Sequence, residues 1–541
     1  MRRKKFSMLV VTALLCSGTI VSQPQLIEAA ENPMQIIWDQ SAYNPHLNDP
    51  VVKSKEAIVS VKAGKLQGSK HDGVYQYLGV PYAEATKRFV RAEAVKPWQG
   101  VKDATKYGKH APQMVFGNDT ADIGEDTANN DQNLNIWTTS LDKKAKKPVM
   151  VWLHGGGFAS GTANEAQYDG ENLSRIGDVV VVGVNHRLNT LGFLNLADYG
   201  EKYKDSANIG MVDIVDSLKW IKENISAFGG DPDNVTLFGE SGGGAKVLTL
   251  MSAPSAKGLF QKGIVESGAI ETMGVSFTPD VVSREVTRET LKLLKIDKGN
   301  IDTLQTVPIE KLWQATSQAQ ANVAKRNHLS LGVMGLSLGV MAPEGIAWEP
   351  VTGTDFLPTN PVLENGFAES GRDVTLMIGS NLNEWNSLFP MMQPQNLSAD
   401  TQKLYNEAYP NEKPNEAAAA DTFLRLPLLK IMNHKADQGG APVYAYVFTK
   451  QNADNNGAGV YHTAEIPYVF SNIKDPDQLA TTMSLAWANF ARYGKPSAPG
   501  LPQWERYTRQ TQATMILDDV SVLRHNHDKK LIQALAPNYK Y

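Results

Sequence analysis

One serine lies in a pattern that can turn a weak hydroxyl into a nucleophile. Residues 239–243 read Gly-Glu-Ser-Gly-Gly, of the form G-x-S-x-G, with the serine at Ser241. The apolar run at 235–239 predicts a buried strand before it, and residues 244–251 are compatible with a helix after it. A sharp turn from strand to helix strains the serine backbone, and flanking glycines avoid steric collision there. The pattern alone also arises by chance, but this strand–turn–helix context favours a nucleophile at Ser241.

A glycine-rich segment could supply the donors that such a nucleophile needs when its target carbonyl becomes an oxyanion. The sequence His-Gly-Gly-Gly-Phe at 154–158 directly follows the apolar run PVMVWL. Successive glycines let backbone N–H groups converge on one point, and a further donor belongs to the residue after the serine. We therefore predict that the donors are Gly156, Gly157 and Gly242. An ordinary glycine turn is the alternative, and the paired serine motif argues against it; His154 is interpreted as a structural residue of this loop.

The elements that must position these groups follow from hydrophobic periodicity. Continuous apolar runs at 148–153 and 179–185 predict strands that are buried on both faces. Apolar residues at three- and four-residue spacing predict a helix over 210–228. The remaining predicted elements are strands at 374–378 and 443–448, surface helices within 279–325 and a helix over 476–493. This alternation predicts an α/β fold with a large, mostly parallel central sheet and helices on its faces.

Longer motifs, in one order along nearly the whole chain, resemble those of the type-B carboxylesterases, which include bacterial para-nitrobenzyl esterases and the cholinesterases. Besides the two glycine motifs, they are YLGVPYA at 77–83, PW at 97–98, NHRLNTLGF at 185–193, FGGDP at 228–232, and FA at 490–491 with Trp504. The resemblance implies the α/β-hydrolase fold, with inserted helical loops. It also implies hydrolysis of carboxylic esters of small molecules without a cofactor.

The same resemblance implies a catalytic triad in the chain order serine, glutamate, histidine. IGSNLNE at 378–384 resembles the acid motif and places the acid at Glu384. Residues 457–470 resemble the histidine motif and place the base at His462. Both positions follow predicted strands, and the other histidines lie before the nucleophile or the acid motif, in a basic helix or near the tail. The predicted triad is Ser241, Glu384 and His462, with Glu240 and Glu465 interpreted as supporting neighbours.

The chain departs from the family pattern at several places. The usual cysteine-containing segment before the oxyanion strand reads NNDQ at 129–132, so the usual disulfide is absent and choline specificity is unsupported. Gly242 stands where the family usually has alanine, a change predicted to keep the N–H donor but to loosen the turn. His186 and Asn189 replace a tyrosine and a glycine of the family.

Two other functions are compatible with these motifs. A non-catalytic binding protein of the same family is one, although all three triad positions retain competent residue types. An acyltransferase or amidase that forms the same acyl-enzyme is the other, and the sequence does not separate it from a hydrolase.

Composition and charge exclude several classes of protein. The 541 residues are 42% hydrophobic and 20% charged, as in an ordinary globular protein. A net charge of −4 without a basic stripe argues against a nucleic-acid partner. Cys16 is the only cysteine, and the histidines lack metal-ligand spacing, so we expect neither a thiolate site nor a catalytic metal.

The first 30 residues have the pattern of a secretory signal peptide. Basic residues at 2–5 precede an apolar run at 6–22, and small residues near 28–30 suit a cleavage site. The run is too short for a comfortable membrane span. We therefore predict an exported protein, secreted or in the cell envelope or periplasm, with a single domain over 31–541 and no membrane span after cleavage.

A short repeat belongs to none of the predicted elements or motifs. LSLGVM at 329–334 returns at 336–341. We interpret it as a buried turn and helix packed on the sheet. The alternative is an apolar wall of a substrate pocket, because methionine side chains adapt to varied shapes.

Overall fold

A computed structural model describes residues 52–113, 131–269, 277–329, 346–386, 397–413, 416–451, 459–474 and 477–541. The predicted signal segment and nearly all of the LSLGVM repeat lie outside these residues. The export of the chain, its division into a signal segment and one domain, and the place of the repeat therefore stay predictions.

A mixed sheet of 13 strands forms the centre of the molecule. The strands are β1 (Lys53–Val61), β2 (Gly64–His71), β3 (Val74–Pro81), β4 (Val101–Asp103), β5 (Asn133–Thr138), β6 (Lys147–Leu153), β7 (Val180–Val184), β8 (Gly230–Glu240), β9 (Lys262–Glu266), β10 (Thr278–Pro279), β11 (Val351–Thr352), β12 (Val362–Leu363), β13 (Gly366–Phe367), β14 (Thr375–Asn381), β15 (Val443–Phe448), β16 (Thr514–Leu517) and β17 (Val522–Arg524). The sheet order is β1-β2-β3-β5-β7-β6-β8-β9-β14-β15-β16-β17, with β4 beside β2, whereas β10–β11 and β12–β13 form separate pairs.

Seven neighbouring strands of this sheet, from β7 through β6, β8, β9, β14 and β15 to β16, are parallel. Antiparallel strands flank them on both sides. The carboxyl ends of parallel strands meet at one edge of a sheet, so the loops that follow β6, β8, β14 and β15 share that edge.

Helices cover both faces of the sheet. In the described residues they are α1 (Glu171–Gly177), α2 (Asn189–Phe193), α3 (Ile209–Asn224), α4 (Gly242–Ser252), α5 (Asp280–Leu294), α6 (Ile309–Asn327), α7 (Ala399–Ala408), α8 (Arg425–Asp437), α9 (Ile466–Phe470), α10 (Gln478–Tyr493) and α11 (Lys529–Leu535).

The side chains of β6 show how the helices divide between the two faces. Val149, Val151 and Leu153 join a core with apolar residues of α3, α4 and α8. Met150 and Trp152 join a second core with residues of α9 and α10. Successive side chains of a strand point to opposite faces, so the continuous apolar run at 148–153 serves both cores at once.

The predicted α/β-hydrolase architecture is confirmed. The predicted strands correspond to β6, β7, β8, β14 and β15, although β8 begins five residues earlier than its apolar run. The helix predicted over 210–228 is α3 with a short 3₁₀ turn that ends at Phe228. The helices predicted within 279–325 are α5 and α6, and the one over 476–493 is α10. No helix in the described part of the chain is long and apolar enough to cross a lipid bilayer.

Candidate active site

Ser241 lies at a strained turn between β8 and α4. Its backbone has φ 53° and ψ −122°, a conformation rare for a residue with a side chain. Its N–H donates a hydrogen bond of 2.8 Å to the carbonyl of Glu266 on β9. The Ser241 residue retains 8% exposure, whereas Glu240 before it is 1% exposed. This turn therefore presents the serine hydroxyl at the carboxyl edge of the sheet.

The glycines around the serine are required by close backbone contacts. A Cβ at Gly243 would lie 1.9 Å from the carbonyl oxygen of Leu153, and one at Gly239 would lie 2.5 Å from the same oxygen. Real side-chain carbons do not come so close to a backbone oxygen. Small residues at these positions therefore let the nucleophile turn pack against the end of β6.

Glu384 and His462 form a short, buried hydrogen bond. Nδ1–H of His462 donates to Oε2 of Glu384 over 2.6 Å, and the two residues are 2% and 0% exposed. The loops that carry them are also joined through the backbone, because the Glu384 N–H donates to the Val460 carbonyl and the His462 N–H donates to the Glu384 carbonyl. The two residues that the family motifs indicate are thus brought together although 78 positions separate them.

The other oxygen of Glu384 is held by two further donors. Oε1 accepts 2.6 Å from the Ser267 hydroxyl and 2.7 Å from the Asn381 N–H. Asn381 Nδ2 donates 2.6 Å to Oε2 of Glu465. The carboxylate of Glu384 is therefore fixed in orientation, with one oxygen left for the histidine. Sequence reasoning missed Ser267, which carries no motif of its own.

Burial controls the protonation of the histidine. It lowers the pKa of His462 to about 4, against smaller opposing effects of Glu465 and Asp421. The ring of Trp385, also missed from the sequence, lies 4.4 Å from the His462 ring between centroids. At neutral pH the imidazole is therefore unprotonated, as a general base must be.

The second ring nitrogen of His462 faces the residue before the serine. Nε2 lies 3.0 Å from Oε1 of Glu240, without hydrogen-bond geometry. No hydrogen bond joins the Ser241 hydroxyl to His462 in the residues that the structure describes. Burial, together with the nearby Glu465 and Glu384, raises the pKa of Glu240 well above its usual range. The base thus reaches the nucleophile turn at Glu240, and the serine–histidine contact stays a prediction.

The predicted oxyanion donors lie next to Ser241, with Gly157 packed against Gly242. Gly156 and Gly157 have φ of 77° and 60°, left-handed values that favour glycine. Gly242 packs against Gly157 so closely that a Cβ on Gly242 would lie 2.3 Å from the Gly157 carbonyl oxygen. Among the described residues, the N–H groups of Gly156, Gly157 and Gly242 have no acceptor. Three free donors in one place suit a developing negative oxygen.

The two departures from the family in the NHRLN segment support this loop. The ring of His186 stacks on that of His154, with centroids 5.1 Å apart and planes 16° apart. Asn189 donates through Nδ2 to the carbonyls of Pro112 and Ala159, and its side-chain oxygen accepts from the Trp313 indole. His186 therefore contacts the first residue of the glycine segment, and Asn189 binds the carbonyl of Ala159 just after that segment.

His154 has the structural role expected from the sequence. Its Nδ1 lies 2.9 Å from the Gly155 carbonyl, and burial, with Lys246 nearby, lowers its pKa well below the usual range. The described residues contain no group of three or more His, Cys, Asp or Glu side chains placed to hold a metal ion.

Known proteins resemble the chain over most of its length. The profile of the Carboxylesterase family matches residues 55–419 and 392–533. The para-nitrobenzyl esterase of Bacillus subtilis (strain 168) is 32% identical over 517 residues, which cover 89% of this chain and 99% of that protein. The phenmedipham hydrolase of Pseudarthrobacter oxydans is 29% identical over 510 residues, covering 85% and 95%.

Solved structures of esterases have the same fold. An esterase from Clostridium hathewayi, described as able to hydrolyse aliphatic aromatic polyesters, superposes with a TM-score of 0.75 at 34% identity, covering 90% of this chain and 99% of that one. A PNB esterase superposes with a TM-score of 0.70 at 31% identity, covering 88% and 99%. The chain therefore belongs to the carboxylesterase family, as a carboxylic ester hydrolase with the α/β-hydrolase fold.

Proposed function

We propose that this protein hydrolyses carboxylic esters of small molecules through an acyl-enzyme formed on Ser241. The observation that carries the proposal is the 2.6 Å hydrogen bond between His462 and Glu384, located beside a strained serine and three unpaired N–H groups. Each part is a separate requirement of serine-based acyl transfer, and here all of them lie at one edge of one sheet.

The first half of the reaction acylates the serine. As Ser241 Oγ bonds to the ester carbonyl carbon, the hydroxyl proton passes to Nε2 of His462. Glu384 keeps the imidazole in the tautomer that leaves Nε2 free and stabilises the imidazolium. The carbonyl oxygen takes up the negative charge and accepts hydrogen bonds from Gly156, Gly157 and Gly242.

The second half releases the products. The carbon–oxygen bond to the alcohol breaks, and the alcohol leaves with the proton from His462. A water molecule then gives a proton to His462 and attacks the acyl carbon. The bond between that carbon and Ser241 Oγ breaks, His462 returns the proton to Oγ, and the acid leaves. Burial raises the pKa of Glu240, whose Oε1 lies 3.0 Å from Nε2 of His462, and so favours the neutral form of this carboxyl.

Ser241→Ala tests the proposal, with Ser252→Ala as the matched control. Ser252 is another buried serine, at the far end of the same helix. We expect Ser241→Ala to abolish turnover of p-nitrophenyl esters and labelling by a fluorophosphonate, with an unchanged unfolding midpoint. Ser252→Ala should keep both activities. Turnover or labelling retained in Ser241→Ala would refute the assignment of the nucleophile.

A panel of esters addresses the substrate class. The named relatives suggest its members: p-nitrobenzyl esters, phenmedipham and soluble aliphatic aromatic polyester fragments. Values of kcat/KM rank these substrates. The ratio of new ester to free acid formed with an added alcohol separates acyl transfer from hydrolysis, because a transferase forms a new ester whereas a hydrolase forms mainly acid.

A further inference from the structure

A buried lysine on the nucleophile helix contacts the oxyanion loop. Lys246 lies on α4, five residues after Ser241, and is 0% exposed. Its Nζ donates hydrogen bonds of 2.8 Å to the carbonyl of His154 and 2.8 Å to the carbonyl of Gly157. The other residues of α4 are glycine, alanine, serine, threonine and aliphatic side chains, so this lysine is an exception in an otherwise uncharged and fully buried helix.

Burying this ammonium is unfavourable unless it forms specific hydrogen bonds. In the described residues, no carboxylate oxygen lies within ion-pair distance of Nζ. Burial lowers the pKa of Lys246 to about 7, and Glu240 opposes that shift. An apolar side chain would fill the position at lower cost. The two carbonyl contacts, together with the Phe158 ring 5.3 Å from Nζ, are therefore the interactions that account for a lysine here.

The hydrogen bonds of Lys246 engage carbonyl oxygens of the glycine loop and leave its N–H groups free. The carbonyls of His154 and Gly157, at the two ends of the glycine segment, bind Lys246. The carbonyl of Gly155 contacts the His154 ring, and the carbonyl of Gly156 accepts from the Ser160 N–H. All four carbonyl oxygens of residues 154–157 are thus engaged within the protein. Glycines restrict the backbone little, so this engagement fixes where the N–H groups of Gly156 and Gly157 point.

We propose that Lys246 is a positioning residue of the oxyanion hole: its two hydrogen bonds fix the glycine loop against the nucleophile helix. The inference rests on the proposed ester hydrolysis and adds a residue that acts on the transition state through the backbone. Because the oxyanion forms after substrate binding, loss of Lys246 should lower kcat and leave KM little changed.

Lys435 offers a matched control. It is also 0% exposed, its Nζ also donates to two backbone carbonyls, of Arg372 at 2.8 Å and Ala441 at 3.3 Å, and burial lowers its pKa to about 8. Those carbonyls lie just before β14 and β15, at the amino edge of the sheet, whereas the site lies at the carboxyl edge. Lys435→Met therefore removes the same chemistry from a place remote from the reaction.

The experiment compares Lys246→Met with Lys435→Met in the full chain. It measures the unfolding midpoint, kcat and KM for a p-nitrophenyl ester, and the affinity for a trifluoromethyl ketone that mimics the tetrahedral intermediate. We expect Lys246→Met to lower kcat about 10- to 100-fold, somewhat less than full loss of an oxyanion donor, with KM within threefold. The affinity for the ketone should fall by a similar factor. Lys435→Met should keep kcat within twofold, even if its unfolding midpoint falls as much as that of Lys246→Met.

A folded Lys246→Met variant with wild-type kcat, or one whose kcat falls no more than that of Lys435→Met, would overturn the inference. If Lys246→Met does not fold, Lys246→Gln takes its place. Its shorter neutral amide cannot span both carbonyls, so kcat should fall at least fivefold, and a wild-type kcat again overturns the inference. Wild-type protein that neither turns over esters nor is labelled at Ser241 would contradict the proposed function itself. Active wild type with inactive Ser241→Ala and unaffected Lys246 variants would contradict only the role of Lys246.

Discussion

The residues around Ser241 form two sets, an acid–base side and an oxyanion side, which act through different chemical groups. On the acid–base side, side chains from separate loops meet: Glu384, His462 and Ser267 are joined by hydrogen bonds of 2.6 Å. On the oxyanion side, the predicted donors are backbone N–H groups of glycines, and the Lys246 side chain binds carbonyls of the same loop. The first side depends on which functional group each residue carries. The second depends on the absence of a side chain and on the support beneath the loop.

The acid–base side and the oxyanion side should therefore be sensitive to different kinds of substitution. A substitution that keeps the shape but changes hydrogen-bonding roles should break the acid–base side. A substitution that adds one carbon should break the oxyanion side. Two substitutions of these kinds therefore test the comparison directly.

The largest effect is expected for Glu384→Gln. Oε1 of Glu384 accepts from Ser267 and Asn381, so a glutamine would keep its oxygen there and direct its NH₂ at Nδ1 of His462. That donor would force the ring proton onto Nε2, which then cannot accept the Ser241 proton. We expect kcat to fall about 10,000-fold, the loss typical of such a tautomer change, with little change in the unfolding midpoint.

Glu465→Gln is the comparison for this substitution, because Glu465 is equally buried but contacts Asn381 and not the histidine ring. Its effect on kcat should stay within tenfold. Equal losses for the two variants would mean that the buried carboxyl cluster acts through its total charge, and the tautomer argument would then fail.

Gly242→Ala is expected to have the next largest effect. The added methyl would lie 2.3 Å from the Gly157 carbonyl oxygen, a backbone atom that can move only if the oxyanion loop moves with it. Displacing the loop misaligns donors that are each worth about 100- to 1,000-fold in kcat. We expect a loss of about 100-fold in kcat, with fluorophosphonate labelling of Ser241 slowed but not abolished. Gly366→Ala, at an ordinary φ with open space around it, controls for the general cost of replacing a glycine. Wild-type kcat in Gly242→Ala would show that the loop has room to adjust.

The same contact qualifies one expectation from the sequence. Glycine in place of the family's alanine at position 242 suggested a looser turn. In the structure the glycine permits a closer approach of the oxyanion loop, and the turn is tightly packed. The sequence could not indicate this, because the approach of residue 157 to residue 242 depends on how two loops pack at the sheet edge.

Other parts of the fold and the site were predictable because their signals are local. Apolar runs indicated β6 and β7, and the G-x-S-x-G pattern located the turn at Ser241. The pairing of Glu384 with His462 could be predicted only through family motifs, since no local pattern connects residues 78 positions apart. Ser267, Trp385 and Lys246 lacked any such motif. A lysine within the run GGGAKVLTLM was a visible anomaly, but its partners lie on another segment.

The smallest expected effect is on the pH dependence of kcat/KM, which should depend on the acid–base side and not on the oxyanion side. Burial lowers the pKa of His462 to about 4, below the usual value of about 6.5, so the neutral base persists as the solution is acidified. We expect kcat/KM to stay level from pH 8 to about 5 and to fall with a midpoint nearer 4 than 6.5. The contribution of His462 to fold stability should decline already as pH falls below about 6.5, because the unfolded chain then binds a proton at this histidine that the folded chain does not.

Profiles of kcat/KM and of the unfolding midpoint from pH 4 to 9 check this expectation. Glu465→Gln sharpens it: burial raises the pKa of Glu465 to about 7, so this carboxyl is already neutral at the acid limb and its replacement should leave the midpoint unchanged. Lys246→Met should leave the position of the acid limb unchanged while lowering its plateau, because it acts on the oxyanion side. An acid limb with its midpoint at 6.5 or above would mean that His462 is more accessible to water than its burial implies, or that another group is the base.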